Sequence, residues 1–142
     1  MRRLTKYMAA AAAVLILTAG VASAQSLMKA EIPFAFSAGN KVVEPGTYHV
    51  RVLPGLANYG VLNIYNFDTR HSYLLLPRSR DGASPKWIAS GLPRIAFDCS
   101  TGACILTRVW FGEGNAYQFY GPKTRGGEML LTEIVMKPDR AD

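Results

Sequence analysis

After residue 24 no apolar stripe at helical spacing lasts three turns, and short alternating runs take its place. Turn signals punctuate those runs every eight to twelve residues: Gly39-Asn40, Pro45-Gly46, Pro54-Gly55, Asp68-Thr69, Asp81-Gly82, Gly91, Gly102, Gly114-Asn115 and Gly121-Pro122. Glycine admits positive φ and proline presets a negative one, so each signal reverses the chain at low cost. Ala30, Ile32, Phe34 and Phe36 take alternate positions in the first run, and Tyr48, Val50 and Val52 alternate with His49 and Arg51 in a second. Further runs cover Val61 to Phe67, Ser72 to Leu76, Ala116 to Tyr120 and Met129 to Met136. Side chains alternate across a strand, so period two predicts strands with one buried face. The prediction is a single all-β domain over 25–142, an antiparallel β-sandwich or small β-barrel of about seven to nine strands. Pro33 cannot donate to a ladder, which places it at an edge or a bulge.

Residues 1–24 read as a cleavable secretory signal peptide. Arg2, Arg3 and Lys6 precede an apolar run from Met8 to Val21, and Ala22-Ser23-Ala24 offers small residues before a cut at Ala24/Gln25. The run contains Thr18 and Gly20 and is short beside the roughly 20 apolar residues of a membrane span, so no permanent span is expected after cleavage. The route reads as general secretion, to the periplasm or the exterior. The whole chain has 16 basic and 10 acidic residues; without Arg2, Arg3 and Lys6 the balance is 13 to 10. That dispersed charge argues against nucleic acid as a partner.

A domain of this size buries only about two-thirds of its unfolded surface, so a covalent staple would help it. Cys99 and Cys104, the only cysteines, flank Ser100 to Ala103 between Ile95-Ala96-Phe97 and the run Ile105 to Phe111. In an oxidising compartment they are expected to form a disulfide across a four-residue hairpin loop. A loop this small gains little entropy, so the bond would fix register more than add stability.

The segment Ile32-Pro33-Phe34-Ala35-Phe36, then Gly39-Asn40-Lys41, then Pro45-Gly46-Thr47-Tyr48 and Val50, resembles small exported β proteins frequent in acidobacterial genomes. Ile105 to Trp110 is similar to a strand near the end of that group, and beyond Phe111 the chain departs from it. The resemblance implies export and a strand-turn-strand start. It implies no particular activity.

Catalytic motifs are absent from the sequence: there is no H-E-x-x-H, no G-x-S-x-G, and the stretch from Gly121 to Gly127 lacks P-loop spacing. His49 and His71 read as surface residues, and nothing in the pattern calls for a metal or cofactor. Asp81, Asp98, Glu113 and Glu128 fall in or beside turns, where carboxylates usually accept bonds from backbone amides. Aromatic residues gather in the second half, with Trp87, Trp110, Phe111, Tyr117, Phe119 and Tyr120. Strict alternation puts Ile105, Val109 and Phe111 on one face and Leu106, Arg108 and Trp110 on the other. Unless a loop covers it, the second face would be an apolar patch. Pro77 to Trp87 combines Arg78, Arg80 and Lys86 with a tryptophan and reads as a recognition loop for an anionic surface.

Two function classes fit these residues. One is a non-catalytic binding or structural domain of the cell envelope or exterior, meeting a protein, a glycan, an envelope surface or its own copy through an open sheet face or edge, with Arg78, Arg80, Trp87 and Trp110 as binding residues. The other is a small secreted, glycan-directed hydrolase using Asp81 or Glu113 near the aromatic cluster. A concave site that brings two carboxylates, or a carboxylate and a histidine, within hydrogen-bonding reach would remove the main support of the first class.

Overall fold

The computed structural model describes residues 27–55, 59–119 and 130–139. The expected signal peptide, Tyr120, the glycine-rich stretch 121–127, Glu128 and Met129 lie outside the described residues. The elements are β1 (Met28–Ile32), β2 (Phe36–Ala38), β3 (Lys41–Val43), β4 (Gly46–Leu53), β5 (Val61–Asn66), β6 (Ser72–Leu75), β7 (Ser79–Gly82), helix α1 (Pro85–Ser90), β8 (Arg94–Asp98), β9 (Cys104–Trp110), β10 (Asn115–Gln118), β11 (Leu131–Val135) and β12 (Lys137–Pro138). Nine of these strands have four or more residues, and β2, β3 and β12 are shorter.

Two sheets pack face to face as a β-sandwich, and neither closes into a barrel. Sheet I runs β12-β1-β4-β5-β6, all antiparallel. Sheet II runs β11-β8-β9-β10-β7, and β2 joins it parallel to the first half of β9 while also pairing with β3. The inner face of sheet I supplies Ala30, Ile32, Tyr48, Val50, Leu62 and Ile64; sheet II supplies Phe36, Ile95, Phe97, Leu106 and Val109. Each such side chain taken from water contributes roughly 1.5–3 kcal/mol. Phe97 meets the rings of Phe34 and Phe36 edge-on, with centroids 5.0 Å away in both pairs.

Local chemistry explains three departures from plain alternation. The first run does not continue as one strand: β1 ends at Ile32, and Pro33-Phe34-Ala35 carries the chain from sheet I to sheet II. Proline's missing donor is tolerated there because the chain is between ladders.

In the cystine hairpin, Asp98 pairs with Ile105 and Cys99 is joined to Cys104 with Cα atoms 4.0 Å apart. One pair further on the register slips, with Phe97 opposite Leu106 but Ala96 opposite Arg108. Thr107 is therefore an extra residue, and its hydroxyl donates to the Ala96 carbonyl at 3.3 Å. This bulge corrects the assignment of Leu106 and Trp110 to one face. Leu106 and Val109 both enter the core, while Trp110 joins a second cluster on the outer face of sheet II.

The third departure is α1, which replaces the end of the expected recognition loop. The Ser84 hydroxyl accepts from Trp87 N–H at 3.3 Å, Pro85 opens the helix, and Gly91 closes it at φ 65° with its N–H donating to the Trp87 carbonyl. These are the residues that helix ends prefer.

Candidate functional site

Trp87 and Trp110, expected as exposed binding residues, are 2% and 3% exposed. Helix α1 lays Trp87 against the outer face of sheet II, where it stacks on Trp110 at 6.3 Å and packs with Ala83, Ala96 and Ala116. The Arg108 guanidinium lies 4.9 Å from the Trp87 ring. The indole N–H donates to Glu133 Oε1 at 2.9 Å, and Arg94 pairs with Glu133 Oε2 at 2.7 Å. Burial raises the cost of ionising Glu133, but the bonds from Trp87 and Arg94 and the positive charges of Arg94 and Lys86 outweigh it and hold the carboxyl below its ordinary range. The aromatic patch inferred for this face is thus covered by a helix of the same chain, and the two tryptophans are not free for a ligand.

Of the expected recognition residues, Arg78 is exposed and Arg80 stacks 4.7 Å above Tyr117. Arg80, Tyr117, Phe111 and Glu113 line a cleft of about 570 Å³ with Val52 and Pro54. Asp81, the other expected carboxylate, accepts from the Ser79 hydroxyl at 3.2 Å. Asp98 is buried and accepts from Ser100 N–H at 3.0 Å, as a turn carboxylate does.

A more developed surface lies on the outer face of sheet I. Strand register fixes it. His49 on β4 stands beside Lys29 on β1 and Tyr65 on β5, and Tyr65 beside Ser72 on β6. One row along, Arg51 stands beside Asn63, and Asn63 beside Leu74. Asn63 is buried; its Oδ1 accepts from Arg51 Nε at 3.4 Å and its Nδ2 donates to Ser72 Oγ at 2.7 Å. This polar ladder floors a cavity of about 510 Å³ walled by Leu27, Leu53, Leu74, Tyr65, Phe67 and His49. Phe67 and Leu74, at opposite ends of the cavity wall, remain 60% and 62% exposed. Their position follows from the turn after β5, where Asn66 Oδ1 accepts from the amides of Asp68 and Thr69 at 2.9 and 3.2 Å and so holds Phe67 at the rim.

His49 is more enclosed than a surface histidine. Its side chain is 14% exposed, its ring lies 4.2 Å from that of Phe67, and Nδ1 stands 2.8 Å from Asp139 Oδ2. The pair has ion-pair distance without hydrogen-bond alignment, which leaves Nδ1 buried and unbonded. Asp139 is held there by its own N–H, which donates to the Leu27 carbonyl at 2.9 Å. A histidine and a carboxylate thus do meet at the margin of a concave site. Sequence reasoning placed His49 on the polar side of β4; its partners come from three other strands or their ends, β1, β5 and β12, and leave no local mark in the sequence.

Among the described residues no group of three or more His, Cys, Asp or Glu is placed to hold a metal ion, and no helix is long and apolar enough to cross a membrane. No protein-family model, curated protein or solved structure matches the chain. Its own geometry defines a disulfide-bonded β-sandwich with one sheet face sealed by a helix and the other open over a walled cavity.

Proposed function

We propose that this is an exported, non-catalytic β-domain that binds a ligand on the outer face of sheet I, in the cell envelope or outside the cell. The observation that carries the proposal is the cavity of about 510 Å³, in which apolar walls surround a small set of oriented polar groups. Ligand sites in proteins have this character and span roughly 300–1,000 Å³. The leader, the disulfide and the resemblance to exported β proteins support the compartment.

The His49–Asp139 approach meets the condition set for removing the main support of a non-catalytic function, and it is the one observation favouring a secreted hydrolase. Three features favour binding all the same. His49 Nδ1 is not aligned with the carboxylate; Ser72, the hydroxyl on the same row, is bonded to Asn63; and Tyr65 stands between Ser72 and His49. A side-chain nucleophile activated by His49 needs a hydrogen bond to it, and among the described residues no hydroxyl makes one.

The test is amide and methyl NMR of residues 25–142 against panels of glycans, amphiphiles and peptides. Ligand-dependent shifts should map to β4, β5 and β6 at outward positions. Shifts confined to the Arg80–Tyr117 cleft would overturn the assignment, and turnover of a glycan substrate abolished by His49→Gln would establish the hydrolase.

A further inference from the structure

Resting on that binding face, we propose that its ligand is an amphiphilic carboxylate: an apolar body seated on Leu53, Leu74 and Tyr65, with one carboxylate on the outer edge of the Arg51 guanidinium. Asn63 sets the geometry. By accepting from Nε of Arg51 at 3.4 Å it engages one side of the planar guanidinium of a cavity-lining residue, and the fork of Nη1 and Nη2 is left for a ligand in that cavity. A carboxylate matches that fork with two parallel bonds, which adds direction as well as strength.

Charge selects the same class. The lining includes Arg51 and no Asp or Glu. Asp139, just beyond it, faces His49 at 2.8 Å. Lys29 stands beside His49 in the register and Lys137 beside Lys29, so the adjoining row adds two further cations; Asp68 lies past Phe67 at the far end. An anionic head therefore enters a field that is locally positive, although the mature chain carries only a mild net charge.

The polar floor argues against a neutral sugar. Asn63 Nδ2 donates to Ser72 Oγ at 2.7 Å and Asn63 Oδ1 accepts from Arg51, so part of the polar floor is already engaged and fewer groups are open to several ring hydroxyls. The three leucines, Leu27, Leu53 and Leu74, want an aliphatic or aromatic body. Such chemistry has two natural sources, a free acyl or aryl acid and a peptide ending in an apolar residue with its C-terminal carboxylate.

Calorimetric titration of residues 25–142 with octanoate, 1-octanol and octylamine tests the head group on one apolar body, with binding located by NMR. Octanoate should bind about tenfold tighter than 1-octanol, with octylamine weakest. Arg51→Gln should bring octanoate and 1-octanol to within about twofold of each other, while Leu74→Ser should weaken both alike. Arg51 is exposed, so its variant should fold, and circular dichroism checks that it does. Tetrapeptides ending in leucine, as free acid and as amide, separate the sources: a peptide site prefers the free acid over octanoate, an acyl site the reverse. Equal binding of octanoate and 1-octanol, or a preference unchanged in Arg51→Gln, overturns the carboxylate and leaves the face as a binding site for something else. Absence of shifts on β4, β5 and β6 with every compound overturns both.

Discussion

Replacing Trp87 tests whether α1 is held by the contacts described. Trp87→Ala removes a nearly fully buried indole from between Trp110, Arg108 and three alanines and deletes the donor to Glu133. Large-to-small changes of an enclosed aromatic cost roughly 3–5 kcal/mol. Small domains have about 5–15 kcal/mol in all, so the variant should fold but unfold at clearly lower urea. Trp87→Phe separates the terms. It keeps a stacked ring and loses the indole N–H, whose bond goes to a charged acceptor. Bonds of that kind contribute about 1.5–3 kcal/mol. The Glu133 side chain is 33% exposed, so water replaces part of the loss and the lower end of that range applies to the bond. With the smaller ring volume, a total of about 2–3 kcal/mol is expected. Urea unfolding should be followed by far-UV circular dichroism, because the chain has only two tryptophans and each variant removes one reporter. A double-mutant cycle with Glu133→Gln should return about 1 kcal/mol of coupling. A loss below about 1 kcal/mol for Trp87→Ala would refute the tight seal on sheet II. Strict additivity in the cycle would refute the Trp87–Glu133 bond.

Other perturbations probe separate parts of the structure. Glu133 has its carboxyl held below the ordinary value, so its stabilisation is complete above about pH 4.3 and is lost as pH falls through the lower folded value; the melting difference between wild type and Glu133→Gln should shrink in that acid window and stay constant above about pH 5. Removing the disulfide as Cys99→Ala with Cys104→Ala opens a loop of sequence separation 5 and should cost about 2 kcal/mol in urea unfolding; a loss above about 4 kcal/mol would contradict the small-loop entropy account. Arg70 sits at φ 60°, a conformation costing a side-chain-bearing residue about 1 kcal/mol, so Arg70→Gly should raise stability by roughly 0.5 kcal/mol after the glycine's unfolded-state entropy is counted. Mass spectrometry of the exported protein should find a chain beginning at Gln25, and a retained leader would contradict the secretory processing.

Much of the sandwich was legible in the sequence because period two is a direct consequence of strand geometry. Tyr48, Val50 and Val52 face the core or its margin, His49 and Arg51 face out, and the cystine lies at the base of its hairpin as the flanking strands require. The bulge was not legible. Thr107 is an ordinary strand residue, and only the partner strand shows that it is supernumerary. Helix α1 did leave a signature in Ser84, Pro85 and Gly91, but six residues are too few to display an apolar period, and Trp87 beside three basic residues looked like a surface loop. The candidate site was hidden for a different reason. Arg51, Asn63 and Leu74 become neighbours through the register of three strands, and Asp139 reaches His49 from the far end of the chain. Local pattern shows which way a side chain points. Adjacency across a sheet is a long-range property.

The pairing of β1 with β12 joins Met28 to Pro138, and β2 lies beside β9 with Phe36 opposite Cys104. Each sheet therefore takes its first strand from one end of the polypeptide and its closing contacts from much later. An N-terminal fragment can form β1–β4–β5–β6, but the outer edge of β1 stays open until β12 is made, and β2 has only β3 beside it until β9 is made. Such non-local contacts make folding slow and late, on a scale of milliseconds to seconds. The core between the two sheets is thereby closed only once β8 and β9 have been made. Removing β12 should therefore leave sheet I with an unfinished edge at β1.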